Sequence, residues 1–214
     1  MRLRVTFAKT EAMRFTSHLD LHHTWERTFR RTGLPLAYSQ GFNPRPRINL
    51  ASALPLGFTS EGEVMDAWLE QEYSLQEVQT RIEKALSPGL KIIDIQEIDL
   101  HTPTLQAVLE SSEFIITLLE PLNDLELKLE ALLTAEHLLR KWRNKAYDLR
   151  PLIQQLCVLS MDEQGQQRFM VSLAAREGAT GRPEEVVTAL GISPGTVRIH
   201  RQRLVFHQEE SGGQ

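Results

Sequence analysis

The chain has 214 residues, 41% of them hydrophobic and 24% charged, a make-up of ordinary globular type and long enough for one large domain or two of about 100 residues. A single cysteine, Cys157, excludes an intrachain disulfide and any Cys-rich zinc or iron–sulfur site, and its apolar neighbours read as a small buried hydrophobe. No run approaches the roughly 18 apolar residues of a membrane span, and Met1-Arg2-Leu3-Arg4 enters an alternating pattern without an apolar signal region, so the expectation is a cytoplasmic protein with no membrane partner. The net charge of −4 hides an asymmetry: residues 1–60 carry +6, residues 61–136 carry −13 and residues 137–214 carry +3.

In chain order, Arg2 to Ala8 alternates as a half-buried strand. Thr16 or Ser17 caps a helix that runs to about Thr32 and stops at Gly33, with Leu19 or Leu21, Trp25 and Phe29 as its apolar stripe. Leu36 to Ser39 reads as a short strand entering a loop, and Ile48 to Leu54 as a strand leaving it. Glu63 to Glu70 alternates again, Ser74 caps a helix from Leu75 to Leu86, and Leu90 to Ile98 is a strand. This order is βαββαβ with one strand doubled.

The pattern then recurs. Glu113 to Leu119 reads as a strand, and Asn123 or Asp124 caps a helix that buries Leu125, Leu129, Leu132 and Leu133. Ala135 to Trp142 reads as a strand, Asp148 to Ile153 as a helical turn leading into Leu156–Leu159, and Arg168 to Ala175 as a strand. Pro183 opens a helix to Leu190, at the position where proline is tolerated, and Val197 to Phe206 closes the chain's regular structure. Ser87-Pro88-Gly89 and Ser193-Pro194-Gly195 both stand between a helix end and a final strand, about 106 residues apart. The fold class expected is α+β, as two tandem ferredoxin-like (βαββαβ) modules: residues 1–100, with the Arg-Pro loop, and residues 110–207, joined by a hinge near Leu100 to Leu109 and followed by a disordered tail, 208–214.

The most specialised stretch is Tyr38-Ser39-Gln40-Gly41-Phe42-Asn43-Pro44-Arg45-Pro46-Arg47. Pro44 and Pro46 stiffen the chain and keep Asn43 and Arg45 extended. Arg45 and Arg47, two apart, then project to the same side, about 6.5–7 Å from one another, a spacing that suits successive phosphates of a single strand. Gly41 permits a positive φ or a close backbone approach, and Phe42 is placed to stack on a base. With Arg14, Ser17 and His18 at the start of the first helix, the residues Ser39, Gln40, Gly41, Phe42, Arg45 and Arg47 make the candidate site for an anion or RNA. The plainer alternative is a rigid connector whose arginines pair with the acidic middle of the chain.

Three further constellations bear weighing. His18 and His22 are four apart on one helix face, extended by Glu26, which is metal-ligand spacing; without a third ligand from elsewhere, no metal and no cofactor is assigned. His18 is also the candidate general acid or base. Asp66 interrupts the face carrying Val64 and Trp68 and needs a partner if buried, with Arg14 or a loop arginine as candidates and a structural ion pair favoured over a catalytic acid. Arg140, Lys141, Arg143 and Lys145 surround Trp142, while the last strand carries Arg198 and His200 on one face and Arg201 and Arg203 on the other, a secondary basic surface consistent with RNA. No phosphate-loop, Gly-x-Gly-x-x-Gly, Gly-x-Ser-x-Gly or Cys-x-x-x-Cys-x-x-Cys motif is present.

The blocks Arg14-Phe15-Thr16-Ser17-His18-Leu19-Asp20, Gly33 to Pro46, and Leu56-Gly57 through Ser60-Glu61-Gly62-Glu63 to Asp66 resemble an uncharacterised bacterial family of radical-SAM-linked, or radical-SAM-associated, proteins. Tyr147-Asp148-Leu149-Arg150-Pro151-Leu152-Ile153 and the Arg198-to-Leu204 strand are similar to the same family. The resemblance covers nearly the whole chain and implies a radical-SAM protein as partner, with this chain as the separate accessory form. The expectation is therefore an accessory protein, without catalysis of its own, that binds RNA or another anionic substrate through the basic loop and a cleft. The alternatives are an RNA-processing or RNA-modifying enzyme and a protein-binding adaptor without nucleic-acid affinity. Tandem ferredoxin-like architectures resemble those of CRISPR-repeat endoribonucleases and tRNA pseudouridine synthases, but the glycine-rich loop of the first and the catalytic aspartate context of the second are missing.

Overall fold

The computed structural model describes residues 1–142 and 145–207, and the protein is α+β. The chain divides into two compact units, Met1–Val108 and Leu109–Gln214. Among the described residues no helix is long and apolar enough to cross a membrane. Arg143, the side chains of Trp142 and Lys145, and the tail 208–214 named in the sequence reading lie outside the described residues.

The first unit runs β1 (Arg2–Lys9), α1 (His18–Thr32), β2 (Ile48–Leu50), β3 (Thr59–Trp68), α2 (Leu75–Ala85), β4 (Leu90–Ile98) and the single turn α3 (Leu105–Val108). β1 pairs antiparallel with both β3 and β4, and β2 adds to the far side of β3, so the spatial order is β4-β1-β3-β2. Ser17 caps α1 by accepting the Asp20 N–H, and Gly33 closes it in the left-handed conformation (φ 70°). Leu21, Trp25 and Phe29 form the buried stripe, while Leu19 is exposed. They join Val78 and Ile82 of α2 and the inward residues Leu3, Val5 and Phe7 of β1 in one core, where the Phe7 and Trp25 rings meet edge to face at 4.9 Å.

Alternation sends the residues between Leu3, Val5 and Phe7 to the other face of the sheet. There Arg2 lies opposite Trp68, and Arg4 opposite Asp66. Asp66, fully buried, accepts from Arg2 at 2.6 Å and from Arg4 at 2.9 and 3.0 Å. The expected ion pair is present, but its partners are the cross-strand arginines of β1 rather than Arg14 or a loop arginine. Arg2 also donates to the carbonyls of Leu100, Thr102 and Pro103.

The second unit runs β5 (Leu109–Leu118), α4 (Leu125–Thr134), β6 (Leu139–Trp142), β7 (Lys145–Asp148), β8 (Ile153–Leu159), β9 (Arg168–Arg176), β10 (Ala179–Thr180), α5 (Pro183–Ala189) and β11 (Val197–Phe206). β5 pairs antiparallel with β11 and β9, and β8 and β10 pair with β9. Phe114, Ile116 and Leu118 of β5, Leu125, Leu129 and Leu132 of α4, Phe169, Val171 and Leu173 of β9, and Val186 and Val187 of α5 are buried. β6 and β7 form a separate two-stranded ladder, so the strand expected over Ala135 to Trp142 is shortened to its last four residues. Leu36 to Ser39, expected as a strand, makes only isolated bridges, Leu36 to Leu69 and Tyr38 to Pro46.

Candidate nucleic-acid interface

Lys9, at the end of β1, continues the inward series Leu3, Val5, Phe7 past a register shift against β3 and is fully buried. Its buried ammonium donates to the carbonyls of Arg14 (3.3 Å), Thr16 (3.0 Å) and Phe58 (3.1 Å). Arg14 Nε donates to Gly57 O at 2.8 Å, and the Gly57 N–H returns to Arg14 O at 3.0 Å. Residues 14–16 are thus tied to residues 57–58, which fixes where α1 begins. Ser17 Oγ donates to the Asp20 carboxylate at 2.6 Å besides capping the helix, and His18 is the first, half-buried residue of α1. The Arg14 guanidinium also lies over the exposed Phe15 ring, 5.4 Å from its centroid.

The specialised loop is a tongue, residues 36–48. Its base is held by backbone bonds from Ala37 N–H to Trp68 O (2.7 Å), Arg47 N–H to Ala37 O (2.8 Å) and Trp68 N–H to Arg47 O (3.1 Å). Higher up, Ser39 N–H donates to Arg45 O at 2.9 Å, and Arg45 N–H to Ser39 Oγ at 3.0 Å. Gly41 sits at the tip with φ 129° and open space around its Cα, a conformation that L side chains rarely adopt. Among the described residues, Gln40, Gly41, Phe42 and Asn43 make no intrachain hydrogen bond, so their backbone groups face solvent. The Phe42 side chain is fully exposed, and Tyr38 is half exposed.

The two tongue arginines have different surroundings. Arg47 lies over the Trp68 ring, 4.5 Å from its centroid, and Arg2 lies against the same ring at 4.7 Å. Trp68 therefore joins the tongue to the Arg2–Asp66–Arg4 cluster. The Arg45 guanidinium, with no carboxylate partner among the described residues, is exposed. The plainer alternative, in which these arginines pair with the acidic middle of the chain, is not seen among the described residues.

Two groups of predicted residues emerge: Arg14, Ser17 and His18 with the 57–58 turn, and Ser39, Gln40, Gly41, Phe42, Arg45 and Arg47 on the tongue. The described contact between α1 and the exit of the tongue is made by His22, whose Nε2 lies 3.3 Å from Ile48 O. Sequence reasoning assigned Trp68 to a strand face and missed its role as the tongue's anchor, which depends on the register of β3 with β1.

The secondary basic surface is corrected. A register shift between Arg201 and Arg203 breaks the alternation of β11. Arg201 is buried, and Arg203 is exposed and held bidentately by Glu113 at 2.7 and 2.8 Å, which raises its pKa. Of the three arginines, Arg198 alone is both exposed and without a carboxylate partner among the described residues.

Over residues 2–183 the chain matches a family described as an uncharacterized protein conserved in bacteria (DUF2344). It belongs to that family. No curated protein matches it. Among solved structures it is similar to a chain of a Cbf5–Nop10–Gar1 complex, with a TM-score of 0.51 and 11% identity, over 97% of this chain and 50% of that one. A chain of the archaeal box H/ACA sRNP Nop10–Cbf5 complex aligns at a TM-score of 0.42 and 13% identity, over 89% and 46%. The small subunit of acetolactate synthase from Thermotoga maritima aligns at 0.28 and 10%, over 97% and 98%. The chain spans about half the length of the first two, and only the first likeness bears on the fold, as a relation of architecture.

Proposed function

We propose that the protein is a binding module that presents a single-stranded RNA segment, or a similarly anionic substrate, to a radical-SAM partner enzyme. The reading includes the architecture: each unit has the connectivity and strand order of a ferredoxin-like module, β4-β1-β3-β2 in the first and β11-β5-β9-β8 in the second. The observation that carries the proposal is the tongue's tip, where a fully exposed phenyl ring stands three residues from an arginine free of carboxylates, on a loop whose base is fixed.

A base stacked on Phe42 and a phosphate on Arg45 would be recognised without sequence preference, and the unbonded N–H groups of residues 40–43 add donors. Arg47 keeps its charge while stacked on Trp68, so it positions the tongue and adds to the field. The radical-SAM partner follows from the resemblance of the Arg14–Asp20, Gly33–Pro46 and Leu56–Asp66 blocks to radical-SAM-linked proteins. A lone cysteine leaves the cluster chemistry to that partner.

The test is fluorescence anisotropy with a labelled 20-nucleotide single-stranded RNA at several salt concentrations. Arg45→Ala lowers the salt slope by about one. Phe42→Ala weakens binding by about 1–3 kcal/mol. Arg47→Ala removes a cation–π contact of about 0.5–1 kcal/mol and lowers affinity together with protection of the tongue's amides from hydrogen exchange. Unchanged affinity in the Phe42→Ala, Arg45→Ala double variant eliminates the RNA reading; co-purification of a radical-SAM protein without RNA affinity leaves an adaptor.

A further inference from the structure

We propose that His22, His23 and Glu26 of α1 form a divalent-metal site that takes zinc(II), a site independent of the RNA reading. Positions 22 and 26 are one turn apart, and 23 and 26 three residues apart, so both imidazoles reach the same carboxylate. His22 Nδ1 lies 3.4 Å from Glu26 Oε1, and His23 Nδ1 lies 3.0 Å from Glu26 Oε2. One ligand atom from each residue falls within 4.8 Å of the others, and this is the group of that kind found among the described residues. A tetrahedral zinc with bonds of about 2.0–2.1 Å has ligand-to-ligand edges of about 3.3 Å, so closure needs only small side-chain adjustments.

The hydrogen bonding around His22 gives a second, independent pointer. Its Nε2 is 3.3 Å from the Ile48 carbonyl, an acceptor, so that nitrogen is the donor. In the neutral ring, Nδ1 then carries a bare lone pair, and it faces a carboxylate oxygen that also has only lone pairs to offer. A cation between them resolves the conflict: either a proton, making His22 an imidazolium, or a metal. The Nε2–H donated to a backbone carbonyl is also the outer contact that orients metal-bound histidines.

Two imidazoles and one carboxylate are a donor set suited to zinc. His23 is 58% exposed, His22 29% and Glu26 19%, so the metal would be reached from the His23 side. Three protein ligands leave one tetrahedral position open to water or an anionic oxygen.

The experiment is isothermal titration of the metal-stripped, full-length protein with zinc(II), paired with long-range ¹H–¹⁵N spectra of the histidine rings. The expected result is one equivalent bound in the micromolar range or tighter, with His22 and His23 Nδ1 resonances shifting together. His23→Ala and Glu26→Gln, at outward positions of a helix held by its other face, each weaken binding at least tenfold. His137→Ala, which removes a histidine paired to a carboxylate in the second unit, leaves binding unchanged. Absence of stoichiometric binding overturns the proposal. So does zinc affinity that survives both α1 variants, or a His22 imidazolium that saturating zinc(II) does not displace.

Discussion

In both units the chain leaves the first helix and makes a hairpin-like excursion before reaching the next strand of the sheet. In Met1–Val108 the excursion is the tongue; in Leu109–Gln214 it is the β6–β7 ladder. The ladder pairs Leu139 with Asp148 through Trp142 with Lys145 along its two strands. The tongue bonds through residues 37, 39 and 45–48, and among the described residues its tip, 40–43, makes no intrachain hydrogen bond. An excursion serving only to connect would be expected to resemble the ladder. The proposed binding role of the tongue rests on this departure in the first unit rather than on the charge count.

The comparison breaks most visibly at the tongue's footing. Trp68 and Asp66 are two residues apart on β3, and Arg2 touches both. Asp66→Ala leaves Arg2 buried without its carboxylate and should cost about 3–5 kcal/mol. Urea denaturation of the first unit checks this, and a loss below about 1 kcal/mol would show that the cluster is not holding the tongue's base. Under β6–β7 the ion pair of His137 with Asp148 is partly exposed rather than buried, and Tyr147→Phe in the second unit should fall within about 0.5–1 kcal/mol of the parent protein.

A smaller difference separates the two Ser-Pro-Gly turns. In the first, Gly89 has φ 91°, the Leu90 N–H bonds Ser87 O at 3.1 Å, and an added Cβ would lie 2.5 Å from Met13 Cγ. In the second, Pro194–Thr196 winds as a 3₁₀ turn, and the nearest atom to an added Cβ on Gly195 is Ser193 Oγ at 3.7 Å. The same three residues thus make a left-handed second position in one turn and a helical one in the other. Gly89→Ala should cost about 2–4 kcal/mol from backbone strain and overpacking, and Gly195→Ala about 0.5 kcal/mol or less. Equal thermal shifts in the two variants would contradict this assignment of the turns.

Local chemistry made much of this legible in the sequence. The caps at Ser17 and Ser74, the stop at Gly33 and the alternation of the closing strands depend on neighbours within four residues, and β4 and β11 fall at Leu90–Ile98 and Val197–Phe206 as expected. What stayed hidden depends on distant partners. The bulge that takes Arg203 off the buried face of Val197, Ile199 and Arg201 arises in the pairing of β11 with β5, and the β6–β7 ladder needs its second strand to exist. Asp66 was recognised as needing a cation, but the choice of Arg2 and Arg4 follows from register. At the site, spacing found His22 and Glu26 and added His18, whereas the histidine that meets Glu26 beside His22 is His23, because neighbours three apart converge as well as those four apart.

The subtlest effect is in acid, at the foot of the β6–β7 ladder. Asp148 accepts from His137 Nδ1 at 2.7 Å, from the Leu138 N–H at 2.8 Å and from the Arg150 N–H at 3.0 Å. The His137 bond, with the two backbone donors, lowers its pKa to about 2. An unfolded aspartate titrates near 3.9, roughly two units higher. Below the unfolded value the unfolded chain takes up its proton first, so the contribution of Asp148 is full above about pH 4 and declines as pH falls toward 2. Side-chain carboxyl NMR should place the Asp148 midpoint near 2, and Asp148→Asn should flatten the acid limb of the second unit's stability while leaving the tongue's amide exchange unchanged. A midpoint at the ordinary aspartate value would mean that the three donors do not hold the foot of the ladder in solution.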